Sequence, residues 1–272
     1  MKIQNKIPKI IHYCWFSEEE KPLKIRRCMA SWKKILYDYE IRCWDGNSFD
    51  FNSIPIVKQA IERRKWAFAA DYIRLYALYT KGGIYLDTDV EVFNSFDRFL
   101  DDSFFIGTDI ADRMEDYIYL EAGIFGSIKG HQYLKKCMEY YENLDVKLDE
   151  KTLQGIIKFD LVENRRIYDG NGHLRLVIAP IVMSECMKPY GYVRENRLQK
   201  LTDGIVIYPT PIFINHEHHI SQEVYAIHWN TGSWLDIEHR GWLFKFCKKW
   251  DLMRPYGFIE KIMIRLKDTL NS

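Results

Sequence analysis

Three things are scarce in these 272 residues. Cysteine occurs six times, at 14, 28, 43, 137, 186 and 247, with no C-x-x-C pair and no tight framework. That excludes a disulfide scaffold and a thiolate zinc site, and free thiols in a reducing compartment are expected. Net charge is nearly absent, with 39 Lys and Arg against 38 Asp and Glu, a balance of +1 that argues against nucleic acid as the main partner. Long apolar runs are missing too: none approaches the roughly 18 residues of a membrane span. The early apolar run from Ile10 is interrupted by His12 and soon meets Glu18 to Glu20. This is not a signal-peptide pattern, and a cytoplasmic location is the expectation. His216-Glu-His-His219 lacks the H-E-x-x-H spacing that puts two histidines on one helical face, so it reads as a solvated loop.

What is present is a chain long enough for one α/β domain with a sizeable core, and 15% aromatic residues, which suit a large core as well as stacking on bases and sugars. Lys9 to Phe16 has strand character, a helix runs from Pro22 to about Leu36, and Tyr39 to Trp44 is a second strand. The order strand–helix–strand predicts a parallel βαβ start. Ile54 to Lys65 is helical, Phe104 to Gly107 a buried strand, and His131 to Glu142 a helix with Tyr133, Leu134, Cys137 and Tyr141 on one face. Further along come a helical stretch at Thr152 to Asn164, a turn at Asp169-Gly-Asn-Gly and a late strand at Ile205 to Tyr208. The segment Asp109 to Asp116 reads as a solvated acidic loop.

The stretch that organises the rest is Trp66 to Glu91, WAFAADYIRLYALYTKGGIYLDTDVE. Phe68 to Thr80 is helical, Gly82 and Gly83 supply the positive φ that ends a helix, and Ile84 to Leu86 is a short strand that delivers Asp87 and Asp89. Val90 to Phe93 is expected to continue extended. In extended backbone, side chains two apart point the same way, so the two carboxylates are expected to converge. Like charges that close repel unless a cation lies between them, and hard oxygen ligands suit Mg2+ or Mn2+ together with substrate phosphates. Asp71 and Arg74, three apart, share a helical face just upstream. An arginine there would neutralise charge on a diphosphate leaving group, and the aspartate could hold sugar hydroxyls. Each piece alone has a plain alternative, an acidic turn or a surface ion pair. His228, ending the β-prone run Tyr225 to Ile227, is a candidate third ligand for manganese, with a core histidine as the alternative.

The string D-Y-x-R-L…Y-x-x-G-G-I-Y-L-D-x-D-V resembles the sugar-binding region of glycosyltransferases with a DXD motif, specifically glycosyltransferase family 32, and more distantly the glucosylating domain of large clostridial toxins. IPKIIHYCWF is similar to that family's first strand, SWKKILYDYEIRCWD to its second and YAIHWNTGSW to its closing motif, so the likeness brackets residues 7–234. The resemblance implies a GT-A type α/β fold: a Rossmann-like mixed sheet flanked by helices, over residues 1–238, followed by a helical tail at 239–272. It implies a nucleotide-sugar donor pocket at Cys14, Trp15, Asp71, Arg74, Tyr85 and Asp87, with Trp15 stacking on the base. Ser233 and Trp234 would lie near the diphosphate in a closing loop, and Glu121 to Gly123 would line the sugar pocket. Mn2+ or Mg2+ would be held by Asp89 directly, with Asp87 and His228.

The implied activity is a metal-dependent, retaining transfer of a hexose, with UDP the preferred nucleotide, to a hydroxyl of an oligosaccharide acceptor. A lipid-linked intermediate of capsule or exopolysaccharide synthesis would fit. Two other readings remain: a nucleotide-sugar hydrolase, and a non-catalytic sugar-binding module with a structural cation. Ala70 stands where relatives often have serine, which removes one expected donor contact. From Arg240 onward eight Lys or Arg face three acids, interleaved with aromatic residues. Such a surface is a candidate for peripheral contact with anionic lipid at the inner face of the cell membrane.

Overall fold

The structure, a computed structural model, describes residues 6–110, 118–145, 147–148, 178–215 and 223–230. The predicted helix at 152–164, the turn at 169–172, the histidine cluster at 216–219, Ser233, Trp234 and the tail from 239 lie outside the described residues. So does most of the acidic segment, residues 111–117.

A period of two places the strand residues. In β3 (Gly83–Leu86), Ile84 and Leu86 enter the core on one face of the sheet and Tyr85 the core on the other. In β5 (Phe104–Ile110), Phe104 and Ile106 likewise oppose Phe105. With both faces buried, the sheet must be covered on both sides. One core gathers α2 (Pro55–Glu62), α3 (Trp66–Lys81), α4 (Gln132–Glu142) and α5 (Ala179–Met187). The other gathers α1 (Leu23–Ile35), a 3-10 turn at Phe96–Phe99, and a small second sheet.

Among the described residues the main sheet has seven strands in the order β2-β1-β3-β6-β5-β8-β7, where β1 is Ile10–Cys14, β2 Glu40–Trp44, β6 Ile118–Ser127, β7 Gln199–Lys200 and β8 Ile205–Tyr208. β1 pairs in parallel with both β2 and β3, as the predicted βαβ start requires. β6 runs antiparallel between β3 and β5, and β7 antiparallel to β8, so the sheet is mixed. The expected α/β class, with a mixed sheet flanked by helices, is what forms. The small sheet has the order β4-β10-β9, from Val90–Val92, Ala226–His228 and Phe213–Asn215. Among the described residues, no helix is long and apolar enough to cross a membrane.

Two features of this fold bring Asp71, Arg74, Asp87 and Asp89 to one cavity. The first is α3, which is buried nearly all round, from Phe68 through Leu78. A helix apolar on every side is a core helix, so Asp71 and Arg74 are carried into the interior. Its end needs glycine: Gly82 and Gly83 have φ of +67° and +115°, and a Cβ on Gly83 would stand 2.6 Å from the Ile10 carbonyl.

The second is the exit from β3, where the structure overturns an expectation. The backbone through Asp87, Thr88 and Asp89 is not extended but turns, closed by a bond from the Val90 N–H to the Asp87 carbonyl at 3.0 Å. The chain then leaves the main sheet, and β4 pairs antiparallel with β10. Helix α1 fastens β4 in place. Its Trp32 Nε1–H donates to the Val90 carbonyl at 2.7 Å, and Ser31 Oγ accepts from the Val92 N–H at 2.8 Å. The predicted alternation through residues 87–89 failed because a chain moving between two sheets must change direction there.

Candidate active site

Arg74 is the hub. Nη2 lies 3.1 Å from Oδ1 of Asp71, and Nη1 lies 3.3 Å from Oδ2 of Asp87 and donates to the Ala122 carbonyl at 2.7 Å. Nε donates to the Ala70 carbonyl at 3.1 Å, and the guanidinium carbon stands 4.8 Å from the centre of the Tyr85 ring. Burial alone would lower the Arg74 pKa, but Asp87, Tyr85 and Asp71 together raise it well above the usual value, so the cation is permanent. Tyr85, its own proton held by burial, donates to Oδ1 of Asp87 at 2.9 Å.

Asp71 answers differently. Burial dominates its environment and, with the charge of Asp87, outweighs the neighbouring guanidinium, so its pKa is pushed up to about 7. The ion pair is therefore one in which proximity does not win: a 3.1 Å contact coexists with a carboxyl poised between its two forms near neutrality. The backbone N–H of Ala179, at the start of α5, also bonds to Asp71 and favours the charged form.

A third group arrives from the small sheet. His228, on β10, places Nε2 at 3.3 Å from Oδ1 of Asp89 and 3.7 Å from Oδ2 of Asp87. Its Nδ1 lies 2.8 Å from Oε1 of Glu121, which also accepts from the Gly123 N–H at 2.8 Å. Burial would lower the imidazole and raise the Glu121 carboxyl. Their mutual attraction, with Asp89 adding to it at the imidazole, reverses both, holding His228 well above and Glu121 below the ordinary value. These side chains, with Trp15 and Cys14, line a cavity of about 540 Å³ at the ends of β1 and β3 and beside the middle of β6.

The family model for a glycosyltransferase sugar-binding region containing a DXD motif matches residues 22–106. That span holds Asp71, Arg74, Asp87 and Asp89. Residues 22–106 are similar to a DXD-motif sugar-binding region.

The matched span is narrower than the likeness of the motifs: it includes neither the first strand nor the segment around His228. No curated protein sequence matches the chain. Among solved structures, the chain is similar to the PaToxG glycosyltransferase, at 17% identity and a TM-score of 0.42 over 67% of this chain and 69% of that one. It is also similar to a glycosyltransferase involved in glycosylation of the major capsid of PBCV-1, at 12% and 0.37 over 81% and 93%. The galactosyltransferase LgtC matches at 11% and 0.39 over 81% and 87%. None of these scores reaches 0.5, and the likenesses stay descriptive.

Around this cavity, the sequence-derived candidates fall into place unevenly. Asp71, Arg74, Tyr85, Asp87, Asp89 and His228 are brought together. Cys14 is buried at the cavity wall, and burial pushes its thiol up, so it is a packing group and not a nucleophile. Trp15 is half-buried at the cavity, but the Nζ of Lys21 stands 4.4 Å above its ring, so one face is already covered. The five described cysteines are free thiols. Two contributors carry little signal in the sequence. Glu121 enters only through the family likeness, and α5 was not expected at the site, although Pro180 in its first turn is a helix-start signal.

Whether the residues fit a divalent cation is a question of donor chemistry. Among the described residues no group of three His, Cys, Asp or Glu side chains is arranged so that it could hold a metal ion as it stands. The imidazole Nε2 of His228 nonetheless stands 3.3 Å from one carboxylate and 3.7 Å from the other at the cavity wall, near the spacing of about 3 Å that a six-coordinate ion imposes on its ligands. The backbone leaves room for them. A Cβ on Gly123 would come within 2.6 Å of the His228 ring and 2.9 Å of Asp87 Oδ2. In donor chemistry, carboxylate oxygens are what Mg2+ or Mn2+ takes, and an imidazole nitrogen is compatible with them.

Proposed function

We propose that the protein is a metal-dependent, retaining glycosyltransferase of GT-A type that moves a hexose from a nucleotide diphosphate sugar to a hydroxyl of a growing glycan. The observation that carries this reading is Arg74, a buried, permanently charged guanidinium shared between Asp71 and Asp87 and facing the same cavity as Asp89 and His228. An arginine held this rigidly is preorganised for charge that develops on a leaving group.

Asp87, Asp89 and His228 would hold the cation, which when bound supplies Lewis-acid stabilisation of the diphosphate. In the proposed reaction the bond between the sugar's anomeric carbon and the phosphate oxygen breaks, its electron pair staying on the diphosphate. The acceptor oxygen bonds to that carbon on the same face, and its proton passes to a diphosphate oxygen. Arg74 steadies the departing charge, and Asp71 orients the donor sugar through its hydroxyls. Retention and the preference for UDP rest on the family resemblance alone. So does the proposed setting, assembly of a capsule or exopolysaccharide at the cytoplasmic face of a membrane.

The test is calorimetric binding of a panel of nucleotide sugars, with and without Mn2+, to the wild type and to Asp89→Ala. One donor should bind in a manganese-dependent way that Asp89→Ala abolishes. Turnover of that donor at the same rate with and without acceptor glycans would identify a hydrolase. Binding of glycans with no nucleotide bound at all would sink the reading in favour of a sugar-binding module.

A further inference from the structure

Glu121 is 3% exposed at its side chain, on a strand whose neighbours are apolar. A charge in that position is costly unless its partners are worth the desolvation. Those partners are few. Oε1 takes both the Gly123 N–H and Nδ1 of His228, each at 2.8 Å, and Oε2 is buried with no hydrogen-bond partner among the described residues. Glu121 belongs to the main sheet and His228 to the small one, and no strand pairing joins β6 to β10. The pairing of β10 with β4 and β9 places His228, and the Glu121 contact is what ties its imidazole to the main sheet.

We infer that Glu121 is a positioning residue for His228, and through it for the cation, an inference that rests on the proposed metal-dependent function. A carboxylate on Nδ1 keeps a proton on that nitrogen. It thereby leaves the Nε2 lone pair to a cation on the side of the ring where Asp89 and Asp87 stand, at 3.3 and 3.7 Å. Gly123 completes the arrangement: its N–H fixes the accepting oxygen, and its missing side chain leaves space for the ring.

The experiment titrates Mn2+ alone into wild type, Asp89→Ala, Glu121→Ala, Glu121→Gln, His228→Ala and the Glu121→Gln/His228→Ala double variant. Free aqua ion is counted by electron paramagnetic resonance, with thermal unfolding as a check on folding. Wild type should bind and Asp89→Ala should not. Glu121→Ala should weaken binding about 10- to 100-fold, and Glu121→Gln less, because its amide oxygen still accepts from Nδ1. In the His228→Ala background Glu121→Gln should cost nothing further, whereas a merely structural role costs the same in both. Long-range 15N–1H spectra of the Mg2+-loaded proteins supply a second readout that does not depend on affinity. They should show His228 as the Nδ1–H tautomer in wild type and a shift away from it in Glu121→Ala or, if that variant does not fold, a mixture in Glu121→Gln. Equal costs in both backgrounds, no cost in either, or an unchanged tautomer overturns the inference and leaves the metal reading standing. Mn2+ binding that is absent, or indifferent to Asp89→Ala, overturns that reading and this one with it.

Discussion

Arg74 and Asp87 stand thirteen residues apart in the chain and 3.3 Å apart in space, Nη1 to Oδ2, across the junction of α3 with the turn after β3. The contact locks the helix that carries Asp71 to the turn that carries Asp87 and Asp89. Site geometry and core packing thus share one side chain, only 5% exposed.

Arg74→Lys keeps the charge but loses the fork that reaches Asp71, Asp87 and the Ala122 carbonyl together. Turnover should fall about 100- to 1,000-fold, the usual loss for a preorganised electrostatic donor. Donor affinity should fall far less. Steady-state kinetics on the donor found by the binding screen separates the two. A drop confined to KM would mean that Arg74 only anchors the substrate.

Asp71 links the site to pH. Its folded pKa of about 7 lies above the ordinary carboxylate value, so the folded state binds a proton that the unfolded chain releases. That contribution is complete below about pH 4 and is lost as pH rises through 7, by roughly 4 kcal/mol at most. Asp71→Asn mimics the protonated form. It should therefore be more stable than wild type at pH 8 in chelator, by a margin that shrinks toward pH 5, while its turnover collapses. Chemical denaturation at the two pH values measures this. A stability difference independent of pH would show that Asp71 titrates normally.

Gly123→Ala tests the space at the site. Its Cβ would meet the His228 ring at 2.6 Å and Asp87 Oδ2 at 2.9 Å, and the neighbours must move. The overpacking should cost about 1 to 3 kcal/mol, and Mn2+ affinity should fall with it. Gly130→Ala is the control for the glycine change itself, since no described residue lies within 4 Å of a Cβ there, although its positive φ brings some strain. Retention of wild-type Mn2+ affinity by Gly123→Ala would show that the imidazole and carboxylates are not the ligands.

How far the sequence reached can be judged residue by residue. The D-Y-x-R spacing put Asp71 and Arg74 on one helical face, and so they are, because a helix repeats the same local geometry wherever it is packed. The glycine stop after Lys81 was equally local, since only the backbone φ decides it. Asp87 and Asp89 were expected to converge through an extended strand. They converge instead through a turn between two sheets, a choice made by the pairing of β4 with β10 near the far end of the described chain. No window around residue 88 contains that partner.

Glu121 shows the same limit from the other side. In sequence it is an acid in an apolar strand with no motif around it. Its meaning comes from His228, 107 residues later. By itself, then, the sequence determined the helix–glycine–strand unit, the α/β class and the local placing of Asp71, Arg74, Asp87 and Asp89, because propensity, capping and spacing act over a few residues. His228 was already a candidate in the sequence, but only the tertiary structure decided that the buried Glu121 meets it from the other sheet. That contact is made by strand pairing and burial across the whole chain, and no local pattern encodes it.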